Sequence, residues 1–133
     1  MMFTWTGAFA VGAGAAIGAW LRWVLGIWLN PVFPTLPLGT LAANLIGGLL
    51  MGVAMEMMAR MTQMSPELRL LMTTGFLGGL TTFSTFSGEM TGLLLRGEIL
   101  WGAIGIAVHV IGSIVLTVVG ILLVRAIASA ALA

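Results

Sequence analysis

The sequence predicts an all-α membrane protein with four transmembrane helices in one domain. Of its 133 residues, 60% are hydrophobic and only 7% are charged, whereas a soluble domain carries about 25% charged residues. So few charges cannot cover a water-facing surface. The apolar residues also gather into four segments of about the 20 residues that a helix needs to cross a bilayer core. The predicted spans are approximately residues 7–29, 38–60, 67–95 and 98–125.

The first half of the chain divides at a proline-rich turn. The first span contains one charge, Arg22, and no basic region precedes it. We therefore expect this span to be retained and not cleaved as a signal peptide. Three of the four prolines fall within residues 30–37, which is typical of a turn. The second span then runs without a charge as far as Glu56.

The third span begins with a predicted helix cap. Ser65 can accept a hydrogen bond from a first-turn amide, Pro66 suits the first helical position, and Glu67 suits the positive end of the helix dipole. The fourth span contains His109 and no formal charge as far as Val124. All connections are short, so we expect no domain outside the membrane.

Composition excludes several classes of function. Cysteine is absent, which excludes disulfides and thiolate metal sites. One histidine and four acidic residues leave little for other side-chain metal sites. The formal net charge of +1 gives no reason to expect nucleic acid as a partner. Nor do we expect an organic cofactor.

The arginines give almost no orientation signal. With four spans, Arg60, Arg69 and Arg125 would lie on one side of the membrane, and Arg22 and Arg96 nearer the other. Orientation follows the excess of Lys and Arg, and here that excess is nearly zero. We expect dual topology, which permits an antiparallel homodimer with a two-fold interface. The alternative is a single orientation set by one arginine.

Glycine is abundant, with 19 residues, and several glycines are spaced four apart. Such pairs let helix backbones approach closely inside a membrane. They suit either packing within one chain or association between chains. The pairs are Gly14 with Gly18, Gly48 with Gly52, Gly75 with Gly79, and Gly88 with Gly92.

The run of residues 75–87, which reads GFLGGLTTFSTFS, predicts a broken helix near the middle of the third span. Its glycines weaken a helix by about 1 kcal/mol each relative to alanine, and its five hydroxyl residues compete for backbone groups. Backbone freed at that depth is tolerated where it lines a cavity, and transporters hold ions at such breaks. Carbonyls suit a hard cation such as Na⁺, whereas hydroxyls and the positive edges of phenyl rings suit a small anion.

Polar residues inside three spans share helical faces, which predicts a polar track between facing helices. The faces are Thr40 and Asn44, continued by Gly48, in the second span, Thr82, Thr85 and Glu89 in the third, and His109, Ser113 and Thr117 in the fourth.

Each of these residues also has a structural interpretation. Ser113 and Thr117 could bond to carbonyls of their own helix, and Asn44 could join two helices. His109 fits a hydrogen-bonded packing residue, and Glu89 could lie at the membrane interface. Arg22 could reach the interface with its long side chain or line an anion-attracting vestibule.

Three motifs together resemble the Fluc (CrcB) family of fluoride channels. The thirteen-residue run 75–87 resembles the signature of that family. Residues 39–48, GTLAANLIGG, resemble its second-span motif, and residues 18–23, GAWLRW, resemble its first-span Gly-x-x-x-Arg-aromatic motif. The resemblance covers the whole chain in size, span number and order of motifs.

The resemblance implies a channel, and not an enzyme, in the bacterial inner (plasma) membrane. It would export F⁻ passively and so lower cytoplasmic fluoride. It implies an antiparallel, dual-topology homodimer with a structural Na⁺ at its centre, held by the carbonyls of Gly78 and Thr81. The implied fluoride path is lined by Phe83, Phe86, Asn44, Ser84, Thr85, Ser113 and Thr117.

Three other functions compete with this one. A small proton-coupled multidrug exporter would need an acid in the first span, which carries Arg22 instead. An intramembrane serine hydrolase would pair Ser84 or Ser87 with His109, but a nucleophile also needs an oxyanion hole. A purely structural subunit would not need three polar faces.

Overall fold

The computed structural model describes residues 3–131, and these form five helices with no strand among them. The helices are α1 (Trp5–Leu29), α2 (Leu38–Arg60), α3 (residues 66–80), α4 (Phe83–Leu95) and α5 (Ile99–Ala130). A short 3₁₀ turn, Asn30–Val32, follows α1. The middle of α3, Leu71–Leu77, is π-helical, between the α-helical segments Pro66–Leu70 and Gly78–Leu80.

Within residues 3–131, three helical segments are long and apolar enough to cross a membrane. They are Trp5–Val32, Leu38–Arg60 and Ile99–Ala130. The protein is therefore an all-α membrane protein. The third predicted span is not a single helix in the structure, because the chain leaves helical geometry between α3 and α4.

The start of α3 has the predicted cap. The Ser65 hydroxyl accepts a hydrogen bond from the amide of Leu68 at 3.2 Å, and Pro66 occupies the first helical position. The π-helical stretch that follows was not predicted. It widens the helix where Leu71, Gly75 and Phe76 lie against α1, and such segments often lie near functional sites.

Glycines bring α1 and α3 into close contact. A Cβ on Gly14 or Gly18 would collide with backbone atoms of α3, and one on Gly75 or Gly79 would collide with backbone atoms of α1. Two of the four predicted glycine pairs therefore pack against each other within one chain. The helices gain van der Waals contact here without large side chains.

The helix α2 lies at the centre and packs along α5 in the same way. A Cβ on Gly48 or Gly52 would collide with carbonyls of α5, and one on Gly120 would collide with the backbone of α2. The fourth pair differs, since a Cβ on Gly88 would meet nothing within 4 Å. Close helix packing among the described residues therefore accounts for the other three glycine pairs but not for Gly88 and Gly92.

One carboxylate joins the carboxyl-terminal parts of α2 and α5. Glu56 is buried and accepts hydrogen bonds from Arg60 Nε at 2.9 Å and Arg125 Nε at 3.0 Å. Two of the three arginines that were expected on the same side of the membrane, Arg60 and Arg125, thus share one partner.

Candidate functional site

The break between α3 and α4 consists of two threonines in extended conformation. Thr81 has φ −82° and ψ 155°, and Thr82 has φ −150° and ψ 117°. Thr82 begins α4 as its N-cap, because its hydroxyl accepts a hydrogen bond from the amide of Thr85 at 3.1 Å. The interruption lies inside the stretch 75–87 in which a broken helix is predicted.

Asn44 on α2 holds this extended segment in place. Its Oδ1 accepts a hydrogen bond from the amide of Thr82 at 2.8 Å, and its Nδ2 donates to the carbonyl of the same residue at 3.1 Å. The side-chain amide of Asn44 thus replaces the two hydrogen bonds that the backbone of Thr82 would make in a continuous helix. This answers the question left open for Asn44, since the residue joins two helices and also builds the break.

The glycines do not form the break, which corrects the expected cause. Gly75 and Gly79 are helical and buried against α1, where they serve close packing. The chain leaves the helix two residues after Gly79, where Asn44 takes over both backbone groups of Thr82. Competition from a neighbouring helix, and not low helix propensity, explains the position of the break.

The break changes the hydrogen-bond partners of two carbonyls at the end of α3, those of Gly78 and Gly79. The amide of Thr82 would close a helical turn onto the carbonyl of Gly78, but it donates to Asn44 instead. The carbonyl of Gly79 accepts a hydrogen bond from Arg22 Nε at 3.1 Å. Arg22 therefore turns inward and does not reach for the interface. Its positive charge lies at the carboxyl end of α3, where the helix dipole is negative.

The carbonyls of Gly78 and Thr81 fit a hard cation in their chemistry. Within residues 3–131, no group of three or more His, Cys, Asp or Glu side chains could hold a metal, so backbone oxygens are the ligands on offer. Gly78 is exposed on the chain surface. The Thr82 amide, which would bond to the Gly78 carbonyl in a continuous helix, donates to Asn44 instead. Two carbonyls from one chain are too few for a complete cation site.

A cavity of about 360 Å³ opens beside the break, between α2, α4 and α5. It brings together residues from all three predicted polar faces. Its lining consists of Asn44, Gly47, Gly48, Met51, Thr81, Thr82, Phe83, Phe86, His109, Val110, Ser113 and Thr117.

Two phenyl rings and an imidazole form one wall of the cavity. Phe83 is 78% exposed, and its ring centroid lies 5.5 Å from that of buried Phe86. The ring of Phe86 lies 4.6 Å from that of His109 with an interplanar angle of 35°. His109 is only 4% exposed, and its Nδ1 lies 3.1 Å from Asn44 Nδ2.

Only some of the hydroxyl groups face the cavity. The single hydroxyl hydrogen of Thr117 is shared between Ser113 O of its own helix (2.9 Å) and Gly48 O of α2 (3.0 Å). Ser113 lines the cavity without bonding back. Ser84 and Thr85 are exposed at the start of α4 and do not line it. Their place in an ion path stays a prediction.

The carboxyl of Glu89, a half-buried residue of α4, packs against the same face of α2. Thr40, one turn before Asn44, donates a hydrogen bond to Glu89 Oε1 at 2.6 Å. Glu89 Oε2 is buried without a partner among the described residues. Glu89 therefore faces the protein interior and not the membrane interface.

Three lining residues were missed from sequence, namely Gly47, Met51 and Val110. Gly47 and Met51 continue the face of Asn44 at spacings of three and seven, so helical periodicity could have found them. Val110 follows His109 directly. An apolar residue in an apolar span carries no such signal.

Comparison with known proteins identifies relatives over most of the chain. The model of the family described as CrcB-like protein, Camphor Resistance (CrcB), matches residues 9–121. A protein of Nitrosospira multiformis is 60% identical over 116 residues, which cover 87% of this chain and 91% of that protein. One from Aromatoleum aromaticum is 62% identical over 111 residues, covering 84% and 85%. A third, from Chromohalobacter salexigens, is 57% identical over 117 residues, covering 88% and 89%. All three relatives carry the name fluoride-specific ion channel FluC. The family match and these identities, over a chain with the motifs described above, establish that this protein belongs to the CrcB family.

Proposed function

We propose that the chain forms a channel that passes fluoride passively through the cell membrane and so lowers cytoplasmic fluoride. The observation that carries the proposal is the cavity beside the break. It presents phenyl rings, hydroxyls and an imidazole to its interior, without lysine or arginine in its lining. Weak donors of this kind let an ion enter and leave again. The names of the relatives, at 57–62% identity, support fluoride as that ion.

Fluoride is small and strongly hydrated, so a pore must replace its water molecules with hydrogen-bond donors or other groups that present positive charge. The phenyl edges of Phe83 and Phe86 carry partial positive charge. The hydroxyl of Ser113, which lines the cavity, would be a further donor, and the hydroxyl of Thr117 lies one turn away. We propose that fluoride moves along this wall. Ser84 and Thr85, exposed at the start of α4, would meet it at one end.

Four spans and an antiparallel homodimer belong to the same proposal. Together, α3 and α4 cover residues 66–95, which is enough for one span with a break in it. One chain leaves the cavity open on a side and exposes most of the apolar surface of α5. A second copy, related by a two-fold axis, would cover such a face. The near balance of arginines between the two sides supports opposite orientations.

A structural Na⁺ would lie where two copies of the break meet. The carbonyls of Gly78 and Thr81 from each chain would hold it, giving four oxygen ligands from a two-fold pair. Two observations support this site. The Thr82 amide donates to Asn44 and so leaves the Gly78 carbonyl without its helical partner, and Gly78 is exposed on the chain surface. Bound there, the ion would fix the position of both breaks. The bacterial source of the relatives supports an inner-membrane location.

The test is ion efflux from liposomes that contain the purified protein. We expect rapid loss of fluoride and almost no loss of chloride, each measured with an ion-selective electrode. Equal rates for the two ions would contradict the channel as proposed. Proton flux driven by a lipophilic drug cation, and abolished by Glu89→Gln, would instead support the exporter.

The assembly is tested separately. Chemical crosslinking in membranes should give dimers, and a single-cysteine variant in the 61–65 loop should be labelled from both sides of the membrane. Labelling from one side only would remove dual topology from the proposal without affecting the channel.

A further inference from the structure

Two arginines share a single carboxylate near the carboxyl ends of α2 and α5. Glu56 Oε1 accepts a hydrogen bond from Arg60 Nε at 2.9 Å, and its Oε2 accepts one from Arg125 Nε at 3.0 Å. The three charges sum to one positive charge. Glu67, the other acid at this end of the bundle, makes no ion pair within residues 3–131 and accepts a hydrogen bond from Thr6 at 3.3 Å. The surplus positive charge is therefore not balanced by a carboxylate among the described residues.

Both guanidinium groups keep donors to spare. Arg60 and Arg125 each bond to Glu56 through Nε alone, and their terminal nitrogens make no hydrogen bond to the part of the chain that the structure describes. Both side chains are exposed, whereas that of Glu56 is nearly buried. Arg69 differs, because it donates to two carbonyls of the 61–65 loop region. A guanidinium held at Nε still offers a pair of N–H groups that suits a phosphate.

An exposed apolar stripe leads from Arg125 into the membrane. Val115, Val118 and Leu122 precede it at spacings of three, four and three residues, so all four lie on one face of α5. Each of the three apolar side chains is about half exposed. Ten helical residues rise about 15 Å, which is half of a hydrocarbon core of about 30 Å. The stripe thus extends from the charged end of α2 through the depth of one lipid leaflet.

This stripe lies on a different face of α5 from the cavity. At 3.6 residues per turn, its centre is about a third of a turn around the helix from the centre of the cavity-lining residues of α5. Those residues are His109, Val110, Ser113 and Thr117. A second copy seated over the cavity therefore approaches α5 from another direction than the stripe.

We propose that Arg60 and Arg125 bind the phosphate of an anionic glycerophospholipid, whose acyl chain lies along Val115, Val118 and Leu122. Phosphate oxygens accept two parallel hydrogen bonds from a guanidinium. The surplus positive charge selects a lipid with net negative charge over a zwitterionic one. Glu56 lies between the two arginines, reduces their mutual repulsion and holds both at the head of the stripe. The inference does not depend on the proposed fluoride channel.

Lipid selection is tested by native mass spectrometry of the intact protein, released from micelles of a neutral detergent. The micelles are titrated with phosphatidylglycerol or with phosphatidylcholine that has the same acyl chains. We expect phosphatidylglycerol to remain bound at lower lipid concentration than phosphatidylcholine. Equal retention of the two lipids would overturn the proposal.

The site is tested with Arg125→Gln, which leaves Glu56 paired with Arg60 and removes the surplus charge. We expect the Kd for phosphatidylglycerol to rise about fivefold, which corresponds to about 1 kcal/mol per arginine near an anionic lipid surface. The matched control is Arg96→Gln. Arg96 is 61% exposed, close to the 59% of Arg125, but it is paired one to one with Glu98. The control loses the same charge from the chain and should keep the wild-type Kd. An equal rise in both variants would show that only the total charge matters.

Glu56→Gln separates binding from stability, because it should act in the opposite direction. This variant loses two ion pairs and should be less stable, yet it raises the surplus charge of the cluster to two. We expect it to bind phosphatidylglycerol about fivefold more tightly. A folding defect alone would weaken lipid binding in Glu56→Gln as well as in Arg125→Gln. Weaker binding by Glu56→Gln would therefore refute the proposal.

Inorganic phosphate distinguishes a lipid from a soluble ligand. Free phosphate has no acyl chain to cover the stripe, so a large excess should leave phosphatidylglycerol bound. Displacement of the lipid by phosphate would assign the arginines to a soluble anion and overturn the lipid site. Binding of phosphatidylglycerol by a protein that passes no fluoride would refute the channel alone. Fluoride flux without any preference for phosphatidylglycerol would refute the lipid site alone.

Discussion

Gly47→Ala should damage both the fold and the ion path, because of one methyl group. Gly47 is buried on α2, one turn after Asn44, and a Cβ at this position would collide with the methyl group of Thr81. Thr81 cannot simply rotate away, since its hydroxyl donates to Leu77 O at 2.8 Å. Either that hydrogen bond breaks or α2 moves away from the break.

The magnitude follows from three contributions. Overpacking of this kind costs about 1–3 kcal/mol, and loss of the Thr81 hydrogen bond would cost about 1 kcal/mol. Alanine regains about 1 kcal/mol of helix propensity over glycine. We therefore expect Gly47→Ala to lower the free energy of unfolding by about 1–3 kcal/mol. Fluoride flux should fall as well, because the Thr81 backbone shifts.

The assay is reversible unfolding in mixed detergent micelles, followed by tryptophan fluorescence. Gly12→Ala is the matched control, since Gly12 is helical and a Cβ there meets nothing within 4 Å. The control should gain up to about 1 kcal/mol and conduct normally. Equal stability and equal flux for the two variants would refute the argument that Gly47 makes room for Thr81.

Two further predictions concern the break. Thr82→Ala removes the N-cap of α4 and should lower the free energy of unfolding by about 1 kcal/mol. Its fluoride flux should also fall below that of Ser65→Ala, which removes the cap of α3 and should leave flux intact. Equal fluoride flux in the two variants would contradict a role of the Thr82 hydroxyl at the cavity. Replacing Na⁺ with a bulky organic cation should lower the melting temperature of the protein, because an ion that binds only the folded state stabilises it by mass action. A melting temperature that does not depend on Na⁺ would contradict a structural sodium site at Gly78 and Thr81.

Much of the helical organisation could be predicted from sequence, because it depends on local composition. Long uncharged runs indicate helices in a membrane, and Ser65 followed by proline and glutamate indicates a cap that the structure contains. The broken helix was predictable in part, since Thr82 is one of the hydroxyl residues that compete for backbone groups and its hydroxyl caps α4 at the break. These signals act over a few residues and survive in any surroundings.

The position and cause of the break could not be predicted, because they depend on contacts between distant residues. Asn44 lies 38 positions before Thr82 and yet supplies both of its backbone partners. Nor does local sequence tell that Gly79 would pack on α1, or that Arg22 would bind the Gly79 carbonyl. The polar faces were visible as a pattern, whereas the pairing of Thr40 with Glu89 and of Asn44 with His109 required the fold.

The central claim is that fluoride passes along the phenyl wall of the cavity, and the most direct measurement is fluoride efflux through Phe86→Ile. Phe86 is buried at this wall, and isoleucine fills space there without a positive ring edge. Phe9→Ile is the matched control, because Phe9 is 78% exposed on α1 and does not line the cavity. We expect Phe86→Ile to give the same crosslinked species as the unaltered protein while fluoride efflux falls at least tenfold relative to Phe9→Ile, about the effect of losing one favourable contact to an ion. Equal fluoride efflux through the two variants would contradict the account.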